Sequence, residues 1–317
     1  MGTFGFDSTA DEVLADKDLG GRTVFITGAY SGLGHETARA MGAKGANLIL
    51  SGRDGAKLEA AAKEIAQETG ASVETLVCDL ASLDSIRAAG KESNARFDTI
   101  DLLINNAGVM ACPLDRTADG FELQFGTNHL GHFLLTNLLI PLLEKGDRPR
   151  IVNLSSRGHH LDRVHFDDLN YVEREYDKWE AYGQSKTANI LFTVALEERL
   201  ADKGIHAYAV HPGGIMTNLG RHLQPDDLAN LRKRMESNAS DKGMTFKSIP
   251  QGAATTCWVA TAEELEGSGG LYAEDCAIAD QSDTDPTGGV RSYALDRDAA
   301  ERLWSVSEEL VGATFAY

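Results

Sequence analysis

Cysteine is scarce in this 317-residue chain: Cys78, Cys112, Cys257 and Cys276 lie far apart and form no CxxC pair. That spacing argues against a disulfide framework or a structural zinc site and reads as reduced thiols. Basic residues are also short, 30 Lys and Arg against 48 Asp and Glu, for a formal charge of −18. Nucleic acid and anionic membranes call for clustered basic surface, so neither is the expected partner. The excess acid reads as solubility. No apolar run is long: HFLLTNLLIPLL at 132–143 is too short to span a bilayer and contains Pro141. Residues 1–20 form a polar leader without a basic start or an apolar signal core, and Phe6 stands where a myristoylation signal wants Ser or Thr. These features predict a soluble, cytoplasmic protein.

Apolar residues make up 42% and charged residues 25%, as in a folded globular protein. Short apolar runs alternate with helical stretches. RTVFIT (22–27), NLILS (47–51), VETLVC (73–78), DLLINN (101–106), RIVNLSS (150–156) and IHAYAV (205–210) read as strands. Between them lie helices near 35–44, 55–68, 82–95, 119–144 and 179–201, with a last one near 296–311. Strands read as continuous apolar runs when both faces are covered, so the pattern predicts an α/β, doubly wound domain with a parallel sheet. No Pro/Gly/Ser-rich linker breaks the first 210 residues, which favours one domain, residues 21–317. Two polar stretches, 157–178 and 218–249, do not fit the rhythm and are candidate lids or surface decoration.

The first strand runs into TGAYSGLG (27–34), where Gly28, Gly32 and Gly34 let the backbone turn tightly at a helix N-terminus. Such a turn suits a pyrophosphate, because the free amides and the helix dipole favour an anion. The second strand ends in SGRD (51–54). An acidic side chain at that point holds a ribose 2′-hydroxyl, whereas arginine accommodates a 2′-phosphate. Gly52 occupies the acidic position and Arg53 follows, which favours NADP(H); Asp54, one residue on, keeps NAD(H) open. Tyr182 and Lys186 are spaced i, i+4, on one helix face. Bringing a phenol from a pKa of about 10 toward neutrality takes about 4 kcal/mol. An ammonium ~4 Å away at an effective dielectric of ~20 supplies about that much. Lysine at this spacing could thus make the tyrosine a usable acid and base.

TGAYSGLG, NNAG (105–108), NLSS (153–156), YGQSK (182–186) and HPGGIMT (211–217) occur in the order found in short-chain dehydrogenases/reductases, which the chain resembles. TNHLGHFLLTNLLIPLL (127–143) and SKTANILFTVALEERL (185–200) look like the retinol-dehydrogenase-like branch. The resemblance covers about residues 20–217 and implies a Rossmann-type, NAD(P)-binding catalytic domain. It implies that Tyr182 is the catalytic acid/base and that Lys186 lowers its pKa and holds the nicotinamide ribose. Ser156 would bind the substrate oxygen, and Asn128 would support a water-mediated proton relay. Gly28, Ser31, Gly32, Leu33 and Gly34 would form the pyrophosphate turn. Asp79 and Leu80 would meet the adenine, Asn106, Ala107 and Gly108 the adenine-ribose side, and Pro212, Gly213, Ile215 and Thr217 the nicotinamide carboxamide.

The chain departs from the family in two places. Ser156 and Tyr182 stand 26 positions apart, more than usual, because of the 157–178 stretch, and His35 replaces a frequent lysine. The expected activity is hydride transfer between a nicotinamide cofactor and a carbonyl or alcohol. Two rivals are reduction of a carbon–carbon double bond and nucleotide-dependent regulation with little turnover. Members of the branch handle lipophilic alcohols and aldehydes, including retinoids and steroids, which implies a bulky or lipophilic substrate. Family members pair through their two long helices, here near 119–144 and 179–201, so a homodimer is the expected assembly unless the insertions block it. No metal is expected, because neither His129 with His132 nor His159 with His160 has further ligands at suitable spacing.

Overall fold

Successive strand residues point to opposite faces, and this chain makes both sets apolar. In β1 (Thr23–Thr27), Phe25 joins one buried cluster while Val24 and Ile26 join another. The same division separates Ile49 from Leu48 and Leu50 in β2 (Asn47–Gly52), and Leu103 from Leu102 and Ile104 in β4 (Leu102–Asn105). The computed structural model describes residues 4–223, 226–227 and 246–317. Its described strands form one sheet that also contains β3 (Val73–Val77), β5 (Arg150–Leu154), β6 (His206–His211), β7 (Leu271–Glu274) and β8 (Ala277–Ile278). The order is β3-β2-β1-β4-β5-β6-β7-β8; only the β7–β8 pairing is antiparallel. This is a single α/β Rossmann-type domain.

One face is covered by α1 (Ala10–Val13), α2 (Gly32–Gly42), α3 (Gly55–Thr69) and α8 (Ile249–Thr261). The other is covered by α4 (Leu83–Arg96), α5 (Leu123–Phe125), α6 (Gly131–Leu143), α7 (Lys178–Leu200) and α9 (Arg297–Val311). α5 and α6 are joined by a π turn, Gly126–Leu130. The expected helix from about 119 thus begins only at Leu123, because Arg116 and Glu122 form a β-bridge and the Glu122 carboxylate caps Gln124 and Phe125. None of the described helices is long and apolar enough to cross a membrane.

The polar leader is more than a solvated arm. Thr9 and Glu12 form a capping box on α1, and Ala10, Val13, Leu14 and Leu19 are buried against α2 and α8. Their spacing is too brief to announce a helix by periodicity. The candidate lid at 218–249 lies largely outside the described residues. At the sheet margin, Arg96 donates to the Thr75 carbonyl at 3.2 Å and to the Glu74 carboxylate at 2.9 Å, covering part of the open edge of β3.

Burial also fixes charge states. It pushes His129 and His159 down to about 3 and His132 down to about 4. An unfolded histidine titrates near 6.5, so below that pH the unfolded chain takes up protons that the folded chain refuses. Stability is therefore complete above about 6.5 and lost as pH falls toward 4, by about 2 kcal/mol per ring at pH 5. Thermal unfolding should come at least ~5 °C lower at pH 5 than at pH 7. An unchanged midpoint in a fluorimetric melt would show that the rings are not held neutral.

Candidate active site

β1 pairs with β2 on one side and β4 on the other, so the chain reverses its winding direction between β1 and β4. Ligands of open parallel sheets bind beyond the carboxyl ends of strands at such a point. A cleft of about 1090 Å³ lies there. Of the residues expected at the site, Gly28, Ser31, Gly32, Leu33, Arg53, Asp79, Leu80, Asn106, Ala107, Gly108, Ser156, Tyr182, Lys186, Pro212, Gly213, Ile215 and Thr217 all line it. Gly34 and Asn128 are placed behind its walls.

The glycine turn suits a pyrophosphate. Gly28 and Gly32 have φ of +66° and +59°, where a side chain is strained. A Cβ on Gly34 would lie 2.5 Å from Asn106 Nδ2 and 2.6 Å from the Gly28 carbonyl oxygen. α2 starts inside the turn, three residues earlier than expected, and Ser31 makes no side-chain cap, whereas α3, α4, α7 and α8 are all capped by side chains. The first amides of α2 are thus uncapped beside the cleft, the arrangement an anion needs. Thr27 Oγ1 accepts the N–H groups of Asn106 (2.9 Å) and Ala107 (3.0 Å), tying the end of β4 to β1. Asp79 Oδ1 accepts from Ala81 N at 3.0 Å, which fixes the loop after β3.

Ser156 lies two residues past the end of β5 and caps the turn at 157–160; its Oγ accepts from Gly158 N at 2.9 Å. Ser156 and the Tyr182 ring meet at Gly158, where a Cβ would lie 3.3 Å from Ser156 Oγ and 2.6 Å from the ring. His159 Nδ1 donates to the Ser156 carbonyl at 2.7 Å, and His159 Nε2 accepts from Arg291 N at 3.2 Å. Ser155 faces away and donates to the Lys186 carbonyl at 2.9 Å. The 26-residue separation therefore does not part serine from tyrosine: the inserted stretch buries Val164 and Leu169 in the core and returns to α7.

The electrostatics differ from the expectation. Lys186 Nζ donates to the Leu154 carbonyl at 2.8 Å and sits 5.7 Å from the centre of the Tyr182 ring. Burial pushes the phenol up to about 12, opposed by the nearby Ser156 hydroxyl, and pushes Lys186 down to about 7. The i, i+4 spacing does put both groups on one face, but loss of hydration outweighs their attraction. Asn128 is likewise occupied. Its Nδ2 donates to the Val109 carbonyl and to Ser185 Oγ, both at 2.9 Å, and its Oδ1 accepts from Val109 N at 2.8 Å.

The sequence reading missed several cleft residues. Lys57 and Tyr30 flank Arg53, and Trp179 lies one turn before Tyr182. Helical spacing from Tyr182 could have found Trp179. Pro286 and Arg291 come from an irregular segment that carries no such signal. Among the described residues no group of three or more His, Cys, Asp or Glu could hold a metal.

A family model described as short chain dehydrogenase matches residues 22–228. Retinol dehydrogenase 12 of Mus musculus is 43% identical, over 92% of this chain and 87% of that protein. The short-chain dehydrogenase/reductase prx1 of Penicillium roqueforti is 39% identical, over 96% of this chain and 90% of its own length. The crystal structure of an uncharacterised protein from Mycobacterium paratuberculosis is 36% identical and superposes with a TM-score of 0.74, covering 98% of this chain and all of that one. The glycine turn, the paired serine and tyrosine and these likenesses agree: the chain belongs to the short-chain dehydrogenase/reductase family, in its retinol-dehydrogenase-like branch, and is an NAD(P)-dependent oxidoreductase of CH–OH and C=O groups.

Proposed function

We propose that the protein interconverts a lipophilic carbonyl compound and its alcohol with NADP(H). The observation that carries this reading is the meeting of Ser156 and Tyr182 on the cleft wall beside Gly158, with Lys186 one helical turn away. When bound, the nicotinamide supplies or accepts the hydride. Tyr182 gives its phenolic proton to the substrate oxygen in reduction and takes it back in oxidation. Ser156 orients that oxygen, and Lys186 holds the ribose and favours proton loss from the phenol. Asn128 fixes the wall behind Lys186 and supports a water-borne proton path.

Arg53 and the surroundings of Gly52 support NADP(H). A Cβ on Gly52 would lie 2.8 Å from the Tyr30 ring, so that ring fills the place where a carboxylate for the 2′-hydroxyl would begin. Asp54 caps α3 through Lys57 N at 3.2 Å and pairs with Lys57 Nζ at 3.0 Å, which leaves Arg53 as the residue to meet a phosphate. Arg53→Ala should raise the KM for NADPH about tenfold or more, as for a lost charge-assisted bond, and leave kcat within about twofold. An unchanged NADPH KM in steady-state assays would assign the phosphate elsewhere.

Met110, Leu161, Trp179 and Met216 line the cleft, which supports an apolar substrate of the kind the name retinol dehydrogenase indicates for the relatives. The four free, buried cysteines support a reducing, cytoplasmic setting. The test is loss of nicotinamide absorbance over a panel of aldehydes and ketones, with NADPH and NADH in parallel. A new alcohol as product supports the reading. A saturated carbon–carbon bond beside an untouched carbonyl, or binding without turnover, overturns it.

A further inference from the structure

His132 is 2% exposed and belongs to none of the roles assigned so far. Its Nδ1 lies 3.0 Å from the Asn128 carbonyl oxygen, and its Nε2 lies 2.9 Å from Thr27 Oγ1. A carbonyl can only accept, so Nδ1 carries the proton. Thr27 Oγ1 accepts from Asn106 N and Ala107 N, which fills both lone pairs; its own hydrogen has the Ile104 carbonyl at 3.5 Å and Nε2 at 2.9 Å as acceptors, and the shorter bond is to Nε2. The ring is thereby defined as the neutral Nδ1–H tautomer. A second ring proton would meet a hydroxyl with no lone pair to offer, and nearby Lys186 opposes a further positive charge.

This chain of bonds cannot carry protons out of the site, because it ends on two backbone amides. It can hold parts together. Asn128 lies in the π turn, Thr27 ends β1 at the glycine turn, and Asn106 and Ala107 directly follow β4. π turns shift the hydrogen-bond ladder and are frequent at functional sites. We propose that His132 is a positioning residue, a neutral strut that sets the Asn128 turn against the cofactor cradle formed by Thr27, Asn106 and Ala107. The proposal rests on the reading that Asn128 and Lys186 serve turnover.

Two variants separate positioning from packing. His132→Phe fills the same space and removes both bonds; His132→Asn packs less well but keeps a donor near the Nδ1 position. The readouts are kcat with NADPH and the best aldehyde of the panel, NADPH affinity by fluorescence titration, and the wild-type tautomer by long-range proton–nitrogen spectra. The expected result is about a tenfold lower kcat and weaker NADPH binding for His132→Phe, as for a buried hydrogen bond left unmade, with His132→Asn within about threefold of wild type. The reverse order, or wild-type values for His132→Phe, overturns the proposal. So does an Nε2–H or doubly protonated ring in the wild-type spectrum, which decides the matter if either variant fails to fold. Should Tyr182→Phe turn over normally, the catalytic reading falls, while NADPH affinities and the tautomer still judge His132.

Discussion

Tyr182→Phe is expected to lower carbonyl reduction by about 10²–10⁴-fold, the range for removal of a general acid. NADPH affinity should stay within about threefold, because the phenol aims at the substrate oxygen rather than at the cofactor phosphates. The ring stays in place: it is 5% exposed, and Phe retains its contact with Gly158, where a Cβ would already approach the Tyr182 ring to 2.6 Å. Comparable melting curves with unequal turnover would therefore locate the defect in proton transfer. The sign of the pH response follows from the phenol, raised to about 12 by burial. Reduction needs the protonated form, which prevails through neutral pH, so its rate should not climb from pH 6 to 9. Oxidation needs the ionised form, whose share grows about tenfold per pH unit below that pKa, so its rate should climb. Turnover by Tyr182→Phe at the wild-type rate would remove tyrosine from the mechanism.

Gly34→Val should weaken NADPH binding by about 100-fold. The added atoms would press on the Gly28 carbonyl and on Asn106 Nδ2, which is held by the Thr27 carbonyl at 2.7 Å. Backbone on one side and a bonded amide on the other leave no route of retreat, and overpacking of this kind costs about 1–3 kcal/mol. Gly32→Ala provides the contrast. Its Cβ would meet only Thr217 Cγ2 at 3.6 Å, so its penalty is the strain of a φ of +59°, about 1–2 kcal/mol. Fluorescence titration of both variants tests the ranking; a Gly34→Val that binds as well as Gly32→Ala would mean the turn relaxes freely.

The strands β1, β2 and β4 were legible because burial on both faces turns each into an apolar run, whereas β3, at the sheet margin with Glu74 and Val77 exposed, shows itself by its Val and Thr content. That Gly28, Ser156 and Tyr182 line one cleft was legible from the order of the motifs that contain them. α1 was hidden, since one turn is too short to show a period and Ala10, Val13 and Leu14 sit among charges. β7 was hidden for a similar reason: LYAE is four residues long and follows a glycine-rich turn. The pKa shifts of Tyr182 and Lys186 follow from burial rather than from their spacing, because hydration is lost only when β5, α7 and the Ser156 turn close around them. The partners of His132 were out of reach for the same reason, as Thr27 stands 105 positions away.

Arg96 has a consequence for crowded solutions. With its guanidinium seated on Thr75 and Glu74, the outer margin of β3 offers an incoming strand a blocked carbonyl and fixed charge, and β8 closes the opposite margin with only two residues. Neither border templates the strand-by-strand growth that leads to fibrils.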